Sequence, residues 1–134
     1  MRALKEADKF YDGYVNGDVN TARRCLEQEI QFFQSPRADI LEPGSPAAAI
    51  YFTYARLYAL EKRTGNDAAA EAALTKARSW NEKRYQFAGE TNSIRLEECR
   101  LFNTPEKIME VADKLDNGAT QGKGPAYLHN IQKR

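Results

Sequence analysis

Apolar residues recur along this chain at helical spacing, while the apolar–polar alternation of a half-buried strand is almost absent. That feature confines the chain to an all-α fold, and its stop signals divide it into six helices. Leu4, Ala7, Tyr11 and Tyr14 form the stripe of a first helix over 3–16, which Gly17 is expected to end in the left-handed conformation that glycine adopts cheaply. Asp18 or Asn20 then caps a second helix, with Ala22, Leu26, Ile30 and Phe33 on one face. Pro36 ends it, because a residue before proline avoids the helical region. A loop over 35–45 follows, tacked down by Ile40 and Leu41. Ser45-Pro46 is a cap-then-proline start for a third helix over 46–63. Ile50, Tyr51, Phe52, Tyr54, Ala55, Leu57, Tyr58 and Ala59 make it apolar over so wide a face that it should lie at the centre.

Gly65-Asn66-Asp67 turns the chain into a fourth helix over 67–87, whose Ala70, Ala73, Leu74 and Ala77 allow a close neighbour. A fifth covers 91–102, with Ile94, Leu101 and Phe102 expected in the core. Asn103-Thr104-Pro105 starts a sixth, with Ile108, Met109, Ala112 and Leu115 inward and an end near Asn117-Gly118. The expected organisation is one domain over 1–118 and a tail over 119–134, in which Tyr127, Leu128 and Ile131 suit a short helix docked on the body.

Six helices with mostly short turns suggest three antiparallel pairs, and the pairs share a register. Five residues beyond Gly17, Gly65 and Asn103 stand Ala22, Ala70 and Ile108. Nine beyond stand Leu26, Leu74 and Ala112, and twelve beyond stand Glu29, Ala77 and Leu115. All but Glu29 are apolar, so each pair exposes a face that stacking would bury. The middle pair resembles a tetratricopeptide repeat (TPR) over 51–82. Tyr54, Leu57, Gly65, Ala70, Leu74 and Ala77 stand at positions the motif uses, whereas Tyr58, Glu61, Asp67 and Glu82 depart from it. The first and third pairs keep less of the pattern. The resemblance implies three helix pairs stacked as a short superhelix, with the first helix of each pair lining a concave surface.

Composition narrows function chiefly by exclusion. The 134 residues include 20 Lys and Arg against 19 Asp and Glu. Both halves of the chain are nearly balanced, which argues against a nucleic-acid partner. No run reaches the roughly 20 apolar residues of a membrane span. Met1-Arg-Ala-Leu-Lys leads straight into the amphipathic pattern, so no signal peptide is expected and the chain reads as cytoplasmic. A removed signal would instead place it in the periplasm or envelope. Cys25 and Cys99 suit two small buried hydrophobes and form a disulfide only if the fold brings them together.

The chain holds one histidine, His129, too little for a common zinc site or a Ser–His or Cys–His pair. It has no Gly-rich phosphate loop and no Gly-x-Ser-x-Gly. The paired carboxylates, Glu97 with Glu98 and Glu110 with Asp113, fit solvated helix faces. No catalytic residue, metal or cofactor is expected.

Two groups of side chains are candidates for binding. Tyr51, Tyr54 and Tyr58 share a face of the central helix and, with Arg56 or Arg63, suit either interhelical packing or a groove for a peptide. Lys76, Lys83 and Arg84 lie near one face of the fourth helix and could receive an acidic peptide or an anionic head group. The reading is therefore a non-enzymatic interaction module for an unidentified protein or peptide, or for a second copy of itself. A small-ligand or sensory helical domain is the alternative, marked by an enclosed pocket of Tyr and Arg.

Overall fold

The computed structural model describes residues 12–35, 45–88, 101 and 103–132. They are all-α, with no strand among them. A helical stretch over 12–16 leads into α1 (Val19–Phe33), α2 (Ser45–Arg63), α3 (Asp67–Ala88), α4 (Pro105–Thr120) and α5 (Ala126–Gln132). The expected stripe residues Leu4, Ala7 and Tyr11, the tacking pair Ile40 and Leu41, and Ile94, Cys99 and Phe102 lie outside the described residues.

Local chemistry accounts for the helix ends. The Asp18 carboxylate accepts from the Thr21 N–H at 2.8 Å and so caps α1. Thr104 caps α4 through Lys107 N–H, and Pro105 occupies the first turn, where its missing N–H costs nothing. Gly65 closes α2 with φ 83°, and the Asn66 N–H returns to the Glu61 carbonyl, satisfying an otherwise orphaned acceptor. The same device ends α4, with Gln121 at φ 56° and the Gly122 N–H on the Asn117 carbonyl. This helix thus runs past Gly118, where it was expected to stop.

Gly17 is needed for a different reason from the one expected. It is not among the glycines of positive φ. A Cβ there would stand 2.5 Å from the Gly13 carbonyl oxygen and 2.6 Å from Thr21 Cγ2. Close approach of the two helix ends, rather than backbone handedness, requires the glycine.

The central helix is α2, which packs against α1, α3 and α4. Tyr51, Ala55, Tyr58 and Ala59 of α2 meet Ala70, Ala73, Leu74 and Ala77 of α3, and Ile108 and Ala112 of α4 complete this core. The alanines of α3 admit the bulky α2 tyrosines without separating the helices. Phe32 and Phe33 of α1 pack with Ile50 in a second cluster. A third joins Tyr14, Ala22, Leu26 and Leu60 to Tyr127 of α5. The Tyr127 ring is fully buried, so α5 completes the core. Leu101, expected inside, is 70% exposed. The buried α4 residues that pack on the α2–α3 core are Ile108 and Ala112 instead.

Beyond the middle pair the described contacts do not establish the stacked superhelix. In an open stack each unit touches only its neighbours. Here the Tyr14 hydroxyl, from the first pair, donates to the Asp116 carboxylate of the third at 2.8 and 2.9 Å. The two ends meet over the C-terminal half of α2 instead of standing one unit apart. A second tie joins α1 to α2, where Arg23 grips Glu61 with both Nε and Nη2, at 2.9 and 2.7 Å. That two-point geometry is the strongest an arginine offers a carboxylate.

Candidate binding cleft between α3 and α4

The five groove candidates on α2 separate. Tyr51 and Tyr58 are buried, at 2% and 5% exposure, and fill the gap between helices, the packing role that their spacing allowed beside that of a groove. Tyr54 is half-buried between the first and second core clusters, and burial pushes its hydroxyl pKa up. Arg56 and Arg63 turn the other way, into a polar hub formed with Tyr14, Asp113, Asp116 and Tyr127.

In this hub Arg63 Nη1 donates to Asp116 at 3.0 Å and to the Tyr127 hydroxyl at 2.7 Å, and Nη2 donates to Asp113. Arg56 Nε stands 3.5 Å from Asp116, with its guanidinium over the Tyr14 ring. Burial lowers the Arg56 pKa to about 10, against the pull of Asp116. Burial also raises the Asp116 carboxyl above its usual range, opposed by bonds from Arg63 and Tyr14. Desolvation, with the nearby Asp116 charge, pushes the Tyr14 phenol far up, so it stays a proton donor. Charges paired in this way join α2 and α4 to the helical stretch before α1 and to α5.

The basic candidates also separate. Lys76 is exposed, and the Lys83 ammonium stands 4.1 Å from the centre of the Trp80 ring. Arg84 instead turns into a cleft of about 200 Å³, lined by Tyr51, Asn81, Arg84 and Tyr85 on one side and Lys107, Glu110, Val111 and Lys114 of α4 on the other. Its guanidinium carbon lies 5.0 Å from the Tyr51 and Tyr85 ring centres and 5.4 Å from that of Phe52. Arg84 Nε donates to Asn81 Oδ1 at 2.7 Å. Asn81 is only 1% exposed and itself donates to the Asn103 side chain at 2.7 Å. Across the cleft, Glu110 lies 3.5 Å from Lys107 Nζ and 3.7 Å from Lys114 Nζ.

The α4 wall was not anticipated as a site. Its signal was a stripe of two lysines with a valine between them, Lys107, Val111 and Lys114 at i, i+4 and i+7, beside the buried stripe of Ile108 and Ala112. That signal points to a shared face, but says nothing about Arg84 across from it.

Comparison with known proteins adds no relative: no family model, no curated protein and no solved structure matches the chain. Among the described residues no group of His, Cys, Asp or Glu is arranged to hold a metal ion, and no helix is long and apolar enough to cross a membrane.

Proposed function

We propose that the chain is a non-enzymatic protein-interaction module, a small helical scaffold with a TPR-like middle pair, that receives a segment of a protein partner in the α3–α4 cleft. The observation that carries this reading is the cleft's combination of aromatic wall and pinned cation, Arg84 among Tyr51, Phe52 and Tyr85. Tyrosine and arginine are enriched at binding hot spots because they bring large contact area together with directional bonds. At about 200 Å³ the cleft is smaller than the usual site for a drug-sized molecule, which favours one side chain of a larger partner over a free ligand. The TPR resemblance over 51–82 supports the same class.

The test is a random peptide display screen against the full chain, repeated with Val111→Arg and with Tyr85→Ala, each checked for native helicity. Sequences enriched on the native chain and lost on both variants are the expected result. Absence of enrichment, or enrichment untouched by either change, overturns the reading.

A further inference from the structure

We infer that the cleft is a receptor for the carboxylate of an acidic segment in a protein partner, with Arg84 as the group that takes it. This deepens the interaction reading above and rests on it.

Three observations converge. First, Arg84 is held ready. Its Nε is committed to Asn81, and Asn81 is fixed in turn by Asn103, while three rings confine the guanidinium plane. An arginine ordered before binding loses little further freedom when it captures an anion. Second, no carboxylate meets Arg84 among the described residues. The one acid in the lining, Glu110, is shared between Lys107 and Lys114. The lining thus holds three cations and one anion. The hub shows what this chain does with a comparably placed arginine when a partner is at hand, since Arg63 binds two aspartates and a tyrosine there. Third, the shape suits a side chain with an apolar stem. Tyr85 and Val111, both partly exposed, offer apolar wall to methylenes, and the terminal guanidinium nitrogens offer a planar edge to a planar carboxylate. A bare phosphate has no methylenes to place on that apolar wall, whereas a glutamate or aspartate side chain does.

The probes are an acetylated, amidated hexaglutamate, the corresponding hexaglutamine peptide and inorganic phosphate, each titrated into the full chain and followed by backbone amide NMR. Hexaglutamate should shift the amides of Arg84, Tyr85 and Val111, while hexaglutamine leaves them in place. Arg84→Gln should weaken hexaglutamate by about tenfold, the loss expected for one charged hydrogen bond. Lys107→Gln and Lys114→Gln should each cost about two- to threefold, as exposed charges do. Lys76→Gln, outside the cleft, should change nothing. Arg84→Lys checks for structural damage, because it keeps the charge and loses the planar fork; it should bind more weakly than the native chain and better than Arg84→Gln. Equal binding of hexaglutamine, equal binding of phosphate, or unaltered affinity in Arg84→Gln overturns the inference. Displayed peptides that need Val111 but carry no acidic residue would overturn it while leaving the interaction module standing. A failed display screen removes both.

Discussion

Arg63 and Arg84 stand near the C-terminal ends of two successive helices, and both lie against tyrosine. Arg63, at the end of α2, is enclosed by Asp113, Asp116 and Tyr127 in the place where the first and last helices meet. Arg84, near the end of α3, is enclosed by rings and an asparagine and meets no acid among the described residues. The difference separates two uses of one residue type. A buried arginine with its acids joins distant parts of the chain, and removing one partner strands the other in a dry interior. An arginine oriented by neutral groups is, on the proposed reading, the one that takes a partner's carboxylate.

The sharpest break of this comparison is Asp116→Ala. It leaves Arg56 and Arg63 without their shared carboxylate, and should cost about 3–5 kcal/mol of unfolding free energy in a urea titration. Arg84→Gln, half-buried and facing the cleft, should cost about 1 kcal/mol in the same titration, the net worth of its bond to Asn81. Similar losses for the two would erase the distinction. Next in size is Tyr14→Phe, which deletes the hydroxyl that donates to Asp116 and should cost about 1–3 kcal/mol. A loss of that size with native helicity would show that this contact between residues far apart in sequence holds the ends together.

A pH series examines the second tie. Burial alone would raise the Glu61 carboxyl, but the bonds from Arg23 and Asn66 outweigh it and hold the pKa below its ordinary value. The folded state therefore favours the ionised form, and the unfolded chain binds the proton first as pH falls. The stability this carboxylate contributes is fully present above the ordinary glutamate value of about 4.3 and is lost as pH drops through the depressed folded one. Urea midpoints measured from pH 6 to pH 3 should fall less steeply in Glu61→Gln than in the native chain. Parallel curves would remove Glu61 from the account. The smallest effect is that of salt. Raising ionic strength from 0.1 to 1 M shortens the screening length from about 10 to 3 Å, which should weaken hexaglutamate binding while leaving the Asp116→Ala stability difference nearly unchanged. Equal sensitivity of both would show that the hub is wetter than its burial implies.

Much of the helical layout was legible because its causes are local. Thr104-Pro105 and Asp18 act within three residues of where they stand, so their roles can be read from spacing. Glu29, the one charged residue in the shared register, is placed by the structure where its apolar counterparts stand. It is 3% exposed, with the Thr53 hydroxyl donating to it at 3.4 Å. Gly17 shows where local reading stops. The residue type was informative, but the reason lay in Gly13 and Thr21 pressing on it. Tyr51 and Tyr58 show the same limit from the other side. A tyrosine stripe serves a groove or a core equally well, and only the approach of α3 with its alanines assigned it to the core.

The sequence by itself determined that the chain is helical, where several helices begin and turn, and which faces are apolar. Those properties follow from hydrogen bonds four residues apart and from a period of 3.6. The tertiary structure decided which charges find partners. Asp116 sits on the same stripe of α4 as Ile108 and Ala112, and only the packing of α4 on α2 brings it to Arg56, Arg63 and a tyrosine 102 residues away. Arg84 is a helix-surface cation in sequence, and only the placement of α2 beneath it and α4 across from it makes a cleft. A side chain's partner depends on how distant helices cross, and no local rule carries that information.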